Sequence, residues 1–376
     1  MTQAPAATTA ATSAATTDLP PPPDGALLVV PLRGMGAVRT GDDLAGLLVA
    51  ACRRAGTVPL DDDVLVVSSK VLAKALGLWR DDRETAITAE TRGVVAERRT
   101  PNGITRIVRS AAGPVMAAAG VDASNTGPEA AGRVLVLPRD PDTHAARLRT
   151  EIARLTGTRP AVLLSDTSGR PWRVGQTDFA LGCAGLRPTD DLRGGVDADG
   201  AALHVTVRAV ADELAGAAEL VKGKADGIPA VLVRGAGHLV TGQDGPGAAG
   251  LVRFDQADWF ATGTVESVRA ALGCPPGTPG VEPAPAVPDP DPAAVMARAV
   301  AVVVAGLTDE ADLAHVVPRM RDATVGVGAE VGARDLLAAA RVTERVVVAC
   351  RAEGLRTRVV AGADVLRVEP VPVPQE

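Results

Sequence analysis

Short runs of apolar residues, each four or five positions long, recur through the first two thirds of the chain. Runs of this length without polar interruption are typical of strands that are covered on both faces of a sheet. We therefore predict strands at Ala26–Val30, Val64–Val67, Val134–Leu137, Ala161–Leu164 and Ala230–Val233.

Between these runs, apolar residues recur at the three- and four-residue spacing of an amphipathic helix. This spacing predicts helices at Asp43–Arg54, His144–Thr156 and Val207–Leu220. The Gly-Asp-Asp sequence that ends at Asp43 marks the start of the first helix, because an aspartate can cap its free N–H groups. The alternation of strands and helices over residues 26–236 predicts the α/β (mixed α+β) fold class, with mixed sheets.

Changes of composition divide the chain into four parts. Residues 1–24 are rich in Ala, Thr and Pro and are expected to form a disordered tail, and residues 25–264 to form the main domain. Eight prolines among residues 275–292 predict an extended, semi-rigid linker. Residues 293–367 predict a small C-terminal α/β module, with a strand at Arg345–Ala349.

The composition excludes several classes of protein. Every 18-residue stretch contains polar residues, so we expect no membrane-spanning helix. The net charge of −6, and the lack of a basic block interleaved with aromatic residues, argue against a nucleic-acid partner. The scattered cysteines and isolated histidines predict neither a zinc site nor a disulfide framework, as is typical of a cytoplasmic protein.

The lysines are distributed unlike the other basic residues. Of the 39 basic residues, 35 are arginine, and the four lysines form two close pairs, Lys70 with Lys74 and Lys222 with Lys224. A compact ammonium suits a tight phosphate pocket better than the broad guanidinium group. The first pair also enters a predicted helix directly after a buried strand, where backbone N–H groups favour anions. The two pairs therefore suggest two walls of a phosphate site; the alternative is random placement on surface helices.

Carboxylates suggest a divalent cation beside that phosphate. Asp122 and Asp166 have neighbouring hydroxyl residues, and Asp166 ends a predicted strand; oxygen ligands of this kind suit Mg²⁺ or Mn²⁺. Each aspartate could instead be a turn or cap residue. A third carboxylate, Asp178, lies nearby, where Arg173 could pair with it or hold an anionic substrate. The chain has no Walker A motif, and Gly34-Met-Gly lacks the third glycine of a dinucleotide fingerprint.

Four segments together resemble a known family. They are Ser68-Ser-Lys-Val-Leu-Ala-Lys-Ala-Leu-Gly77, Ala119-Gly-Val-Asp-Ala-Ser-Asn125, Ser165-Asp-Thr-Ser-Gly-Arg-Pro-Trp-Arg-Val-Gly-Gln-Thr-Asp178 and Ala211-Asp-Glu-Leu-Ala-Gly-Ala-Ala-Glu-Leu-Val-Lys-Gly-Lys224. In this order they resemble the coenzyme F420-0:L-glutamate ligase family, in its bacterial branch, over about residues 26–262. One such segment is moderately specific, whereas four in the family's order are strongly specific.

The resemblance implies a GTP-dependent γ-glutamyl ligase with a mixed α/β fold, acting as a cytoplasmic homodimer. Such enzymes join the amine of L-glutamate to the terminal carboxylate of F420-0 through an acyl phosphate. They release GDP and phosphate, and they use Mg²⁺ or Mn²⁺ together with K⁺. The number of glutamates added stays open. Two alternatives also stay open: a non-catalytic nucleotide-binding homologue, and a ligase of the same chemistry on another acid acceptor.

Matching positions carry the family's residue roles over to this sequence. The nucleotide site would be formed by Met35, Gly36, Ala37, Val38, Ser69, Lys74, Asn125, Gly223 and Lys224. The metal ligands would be Asp122, Asp166 and Thr167, and the catalytic residues would be Lys74, Asp122 and Asp166. Lys224 stands where relatives place a glutamine near a second metal ion, so the resemblance leaves that second ion open.

Actinobacterial relatives often carry an FMN-binding nitroreductase-like domain after the ligase. Trp259–Arg269 resembles the join between the two domains, and Ala349–Arg356 faintly resembles a helix end of the flavin domain. The chain beyond the linker is, however, much shorter than that domain, and no aromatic residue follows Phe260 to shield a flavin. We therefore predict no FMN, and interpret residues 293–367 as a degenerate remnant or a separate small module.

Overall fold

The computed structural model describes residues 19–371, apart from residues 102, 125, 128–129, 131, 254–257, 259, 288, 308–317, 322–326 and 333–335. Residue contacts divide the chain into two compact units. The first unit comprises residues 1–81 and 122–251, and the second comprises residues 82–121 and 252–376. The second unit therefore combines an internal segment of the expected main domain with the C-terminal part of the chain.

The first unit is built around a five-stranded mixed sheet. In spatial order its strands are β1 (Leu28–Pro31), β12 (Ala230–Arg234), β2 (Val64–Ser68), β8 (Ala161–Arg170) and β9 (Arg173–Ala184). β2 and β8 run parallel, and the other neighbours run antiparallel. Two-stranded sheets pair β3 (Trp79–Arg80) with β7 (Val134–Leu135) and β10 (Asp190–Asp191) with β11 (Val207–Arg208).

Helices cover both faces of the five-stranded sheet, which explains the uninterrupted apolar runs in its strands. The helices of this unit are α1 (Leu44–Arg54), α2 (Ser69–Ala75), α4 (Pro141–Thr156) and α5 (Val210–Lys222). Leu65 and Val67 of β2 pack in one core with α1 and α4, and Val64 and Val66 pack in the other with α5. The mixed α/β fold predicted from the sequence is confirmed.

The ends of the first unit's elements follow local chemistry. Asp43 accepts a hydrogen bond from the N–H of Gly46 at 3.0 Å, so the predicted start of α1 is confirmed. The helix predicted from Val207 begins only at Val210, because Val207 and Arg208 pair as a strand. The expected disordered tail ends before residue 24: Leu19 packs against the core, and its carbonyl accepts a hydrogen bond from Arg234. Residues 1–18 lie outside the described residues.

The second unit contains two antiparallel sheets and four described helices. The helices are α3 (Arg83–Glu90), α6 (Thr264–Ala271), α7 (Pro292–Gly306) and α8 (Leu336–Ala352). One sheet has the order β4 (Thr91–Thr100), β5 (Gly103–Ser110), β6 (Val115–Ala117). The other has the order β13 (Arg319–Met320), β14 (Ala329–Gly332), β16 (Val365–Pro370), β15 (Thr357–Ala361). Among the described helices of the whole chain, none is long and apolar enough to cross a bilayer.

The strand predicted at Arg345–Ala349 is wrong, because these residues lie inside α8. Val342, Val346 and Cys350 recur every four residues, so they lie on one face of the helix, and all three are buried. Their core also contains Val303 of α7 and Val331 of β14. Burial of this face therefore outweighs the β-strand preference of the three consecutive valines.

The proline-rich segment at residues 275–292 is packed inside the second unit. Arg99 of β4 exchanges backbone hydrogen bonds with the segment, donating to Ala284 at 2.9 Å and accepting from Ala286 at 2.8 Å. Ala284 is buried, and the last proline of the segment, Pro292, is the first residue of α7. Prolines without N–H groups suit such an edge position, where the intervening residues supply the hydrogen bonds. The segment is thus an edge of the sheet that contains β4, and this differs from the free linker that we expected.

Candidate functional site

The site begins where β2 passes directly into α2. Ser69 is fully buried, and its hydroxyl lies close enough to Asp166 to help lower the pKa of that carboxyl. Lys70 and Lys74 are four residues apart in α2, so they lie on the same side of it. Burial lowers the pKa of Lys74, and the charge of Lys70 lowers it further. The first lysine pair therefore forms one cluster of positive charge beside a buried hydroxyl.

Asp122 lies against this cluster. Lys70 Nζ is 2.5 Å from Asp122 Oδ2, and it also donates hydrogen bonds to the hydroxyl and carbonyl oxygens of Ser124, each at 3.1 Å. The N–H of Ser124 donates to Asp122 Oδ1 at 2.6 Å. Burial acts to raise the pKa of Asp122, but the hydrogen bonds from Lys70 and Ser124 outweigh it and lower the pKa. Asn125, predicted to bind the nucleotide, lies outside the described residues.

Asp166 reaches the same lysine from β8. Ser68 of β2 pairs with Ser165 of β8 in parallel register, so Asp166 follows directly opposite the start of α2. Burial raises the pKa of Asp166 to about 6; the Thr167 N–H and the charge of Lys70 act to lower it, and Asp178 acts to raise it. We had predicted that Asp166 lies at the end of its strand, and this prediction is wrong. β8 continues to Arg170 because it stays paired with β9 beyond the end of β2.

A second group of polar side chains lies between β8, β9 and the end of α5. Lys222 Nζ is 2.6 Å from Asp178 Oδ2, and it donates to Ser165 Oγ at 2.8 Å. Thr167 donates to Asp178 Oδ1 at 2.6 Å. Burial acts to raise the pKa of Asp178, but Lys222 outweighs it and lowers the pKa. The cationic partner of Asp178 is therefore Lys222; Arg173, which the sequence suggested, is exposed and pairs in register with Arg170 instead.

Lys224 completes the cluster just after α5. Gly223 ends the helix with a positive φ of 58°, and a Cβ there would lie 2.9 Å from Asp226 Oδ2, which favours glycine. The ammonium of Lys224 donates to Thr167 Oγ1 and lies 3.2 Å from Glu219 Oε1. The Lys224 side chain is 61 % exposed, whereas Lys222 is 3 % exposed. The second lysine pair is thus split, with one buried ammonium and one that faces solvent.

The loop after β1 is connected to the far end of α2. Met35 and Val38 are buried, and Met35 shares a core with Leu72 of α2. Gly36 and Ala37 are exposed, and Gly36 has a positive φ of 70°. Of the four loop residues predicted to bind nucleotide, the two with buried side chains can therefore offer only their backbone.

The oxygen donors around Lys70 are suited to one divalent cation and not to a multi-carboxylate metal centre. No group of three or more His, Cys, Asp or Glu side chains suited to a metal ion occurs among the described residues. The Asp122 and Asp166 carboxylates nevertheless share Lys70 as a neighbour, and the buried Ser69 hydroxyl acts to lower the pKa of Asp166. Oxygen donors of this kind fit one Mg²⁺ or Mn²⁺ ion that keeps water or phosphate oxygens in its shell.

Sequence reasoning missed the contributions of Ser124, Ser165, Glu219 and the Asp178–Lys222 pair. One signal was available for the pair. A strand pairing of residues 161–170 with 173–184 places Thr167 directly opposite Asp178. We ended the predicted strand at Leu164 because polar residues follow Leu164. The predicted strand was therefore too short to include Thr167.

Comparison with known proteins gives a consistent result. The model of the F420-0:Gamma-glutamyl ligase family matches residues 34–235, which is more than half of the chain. A protein named coenzyme F420:L-glutamate ligase from Methanothermobacter thermautotrophicus is 37 % identical over 253 residues, or 62 % of this chain and 98 % of that protein. Proteins of the same name from Archaeoglobus fulgidus and Haloarcula marismortui are 38 % and 37 % identical; the aligned parts cover 55 % of this chain in both cases, and 87 % and 86 % of those proteins.

Proposed function

Because the chain belongs to the F420-0:gamma-glutamyl ligase family, we propose that it attaches L-glutamate to coenzyme F420-0 in a reaction driven by GTP. The observation that carries this proposal is the convergence of Lys70, Lys74, Asp122 and Asp166 beside the buried hydroxyl of Ser69. Such a site can hold a polyphosphate and a cation together, as activation of a carboxylate by phosphorylation requires.

The reaction has two steps. In the first, a carboxylate oxygen of F420-0 attacks the γ-phosphorus of GTP, the bond to the β,γ-bridging oxygen breaks, and GDP leaves. In the second, the amine of L-glutamate attacks the acyl phosphate, phosphate leaves, and the nitrogen loses a proton to form the amide. Transfer of this kind depends mainly on positioning and on neutralisation of charge. Lys70 and Lys74 are placed to supply that charge, and Ser69 to donate one hydrogen bond.

A divalent cation fits the charge balance of the site. Four ammonium groups and four carboxylates are associated there: Lys70, Lys74, Lys222 and Lys224 with Asp122, Asp166, Asp178 and Glu219. Since these charges already balance, an incoming polyphosphate needs further positive charge. Mg²⁺ or Mn²⁺ supplies neutralisation of the phosphate oxygens when bound. Asp122, Asp166 and Thr167 are the residues that would hold it, and a K⁺ requirement is part of the same proposal.

We also propose that the protein acts as a homodimer. The β8–β9 hairpin continues past the buried part of the sheet, and its exposed residues include Trp172, which is 79 % exposed, and Val174. Apolar side chains that are exposed together favour association with another protein surface. Light scattering of the purified protein is expected to give the mass of two chains.

Mass spectrometry of the product tests the proposed reaction. The protein incubated with F420-0, GTP, L-glutamate and Mn²⁺ is expected to form GDP, phosphate and an F420 species that is heavier by one or more glutamyl groups. Reactions without L-glutamate, or with ATP in place of GTP, serve as controls for the acceptor and the nucleotide. A complete reaction that yields neither GDP nor a heavier F420 species would contradict the proposal.

A further inference from the structure

Asp178 and Lys222 form a buried ion pair in the first unit, and each residue is only 3 % exposed. Their charged atoms are 2.6 Å apart, and Ser165 bridges them, donating to Asp178 Oδ2 at 2.9 Å and accepting from Lys222 at 2.8 Å. Burying two charges is costly, and an apolar pair of similar size often gives equal stability. Stability alone therefore does not account for the presence of this pair.

The hydrogen bonds of Asp178 indicate a further role for the pair. A carboxylate paired with an ammonium accepts hydrogen bonds and donates none. Thr167 Oγ1 lies 2.6 Å from Asp178 Oδ1, so the proton of this bond comes from Thr167. A threonine hydroxyl has one proton and two lone pairs. Once its proton is committed to Asp178, the Thr167 oxygen can only accept.

The other contact of Thr167 agrees with this assignment. The ammonium of Lys224, which has donors and no acceptor, hydrogen-bonds to the same Thr167 oxygen. The register of the hairpin places Thr167 directly opposite Asp178, so the two side chains meet without a strained conformation. One lone pair of Thr167 therefore remains for a ligand, and that ligand is a cation; a phosphate oxygen would need a proton that Thr167 cannot supply.

We propose that Asp178, held by Lys222, is a positioning residue that fixes the polarity of the Thr167 hydroxyl, so that Thr167 binds a cation and not a phosphate oxygen. This inference rests on the proposed function, because the cation is the divalent ion that accompanies the nucleotide. Partners that orient a metal ligand in this way typically change metal affinity by 10- to 100-fold when they are removed.

Two binding measurements test the inference. Mn²⁺ binding in the presence of GTP is followed by the loss of the free-ion electron paramagnetic resonance signal, and GTP binding without metal is followed by calorimetry in EDTA. Thr167→Val and Asp178→Asn are expected to weaken Mn²⁺ binding at least tenfold and to leave metal-free GTP binding within about twofold. Thr167→Ser keeps the hydroxyl, so this variant is expected to bind Mn²⁺ with the affinity of the wild type.

A matched control separates positioning from general loss of structure. Asp212 is a partly buried carboxylate of α5 that also contacts β9. It accepts the N–H of Ala180 at 2.8 Å, and in the described part of the chain it makes no hydrogen bond to Thr167. Asp212→Asn is expected to leave Mn²⁺ binding unchanged. Thermal unfolding of each variant would show whether it is folded.

The remaining outcomes overturn the inference in distinguishable ways. Metal-free GTP binding that falls as much as Mn²⁺ binding in Thr167→Val would make Thr167 a phosphate donor. Unchanged Mn²⁺ affinity in folded Asp178→Asn would leave the ion pair a purely structural role. A wild-type protein that binds neither GTP nor Mn²⁺ with GTP would contradict the proposed function itself, and the inference with it.

Discussion

Buried charged side chains occur in both units of the protein, but they differ in whether their hydrogen bonds continue to an exposed charged group. In the second unit, Arg269 and Arg298 share Glu353: one guanidinium lies 2.6 Å from Oε1 and the other 2.8 Å from Oε2. All three side chains are buried, and both oxygens of Glu353 are occupied. In the first unit, the network of Asp178 and Lys222 continues through Thr167 to Lys224, which is mostly exposed.

The difference teaches how to separate a structural ion pair from a functional one. The Glu353 cluster holds its carboxylate between two buried guanidinium groups, and it stabilises one arrangement of the elements that it joins. A cluster that leads outward to an exposed ammonium, as at Lys224, retains capacity for a ligand. Substitutions in the Glu353 cluster are therefore expected to affect stability alone, whereas substitutions in the cluster of Lys70 and Lys222 are expected to affect ligand binding and catalysis as well.

The largest effect is expected from Lys74→Ala in the first unit. If the proposed function is right, the loss of this ammonium should lower kcat/KM by about 10³-fold, since preorganised charge dominates such reactions. The midpoint of thermal unfolding should change little. Arg154→Ala is the matched control, because it removes one positive charge from an exposed position on α4. Equal activity losses in both variants would refute a specific role for Lys74.

The reverse result is expected from Glu353→Ala in the second unit. Two buried guanidinium groups lose their common partner, so the free energy of unfolding should fall by about 3 kcal/mol, while kcat/KM of the folded protein stays near the wild-type value. Chemical denaturation measures the first quantity and steady-state assays the second. Glu344→Ala, at an exposed position of α8, the helix that ends just before Glu353, should change neither. A Glu353→Ala protein that is fully stable would show that the cluster carries little energy.

The sequence predicted the first unit better than the second for a physical reason. The strands of the first unit are covered on both faces, so their apolar runs are continuous, as at Val64–Val67 and Ala161–Leu164. In the second unit, three consecutive valines belong to a helix, because burial at four-residue spacing decides the structure there. The packing of the proline-rich segment depends on Arg99, almost 200 residues earlier in the chain, and no local pattern reveals it.

The candidate site divides in the same way. The lysine pairs and Asp122 could be singled out by residue type, because arginine is otherwise the dominant cation and hydroxyl residues flank the carboxylate. The partner of Asp178 could not be identified from residue type. Lys222 lies 44 residues away in sequence, and it reaches Asp178 only because α5 packs on β9. Arg173, nearer in sequence, was the wrong partner because the hairpin carries it out into solvent.

A smaller effect, with a defined pH dependence, is expected from Asp178→Asn. The pKa of Asp178 is lowered in the folded protein, so its stabilisation is present above the unfolded pKa of about 4 and is lost as the pH falls through the lower folded value. At pH 7 the variant should be about 2 kcal/mol less stable than the wild type, and this difference should shrink below about pH 4. Urea denaturation at several pH values measures it.

Asp212→Asn provides a control of opposite sign for this pH dependence. Burial raises the pKa of Asp212, and the Ala180 N–H only partly offsets it. The charged form of Asp212 is thus disfavoured in the folded state, so the stability of the wild type relative to Asp212→Asn should fall as the pH rises through the folded pKa. The same pH trend in both variants would show that a general charge effect, and not the Lys222 pair, governs the stability.

The smallest effects are expected from helix caps, which have the same chemistry in both units. Asp43 accepts the N–H of Gly46 at 3.0 Å at the start of α1, and Asp291 accepts the N–H of Ala293 at 2.9 Å at the start of α7. Asp43→Ala and Asp291→Ala should each lower the free energy of unfolding by about 1 kcal/mol. Neither should alter kcat/KM, since neither carboxylate belongs to the cluster of Lys70 or Lys222. If Asp43→Ala impaired catalysis and Asp291→Ala did not, α1 would have to be added to the elements that position the site. The difference between the two units would then involve helix caps as well as buried charges.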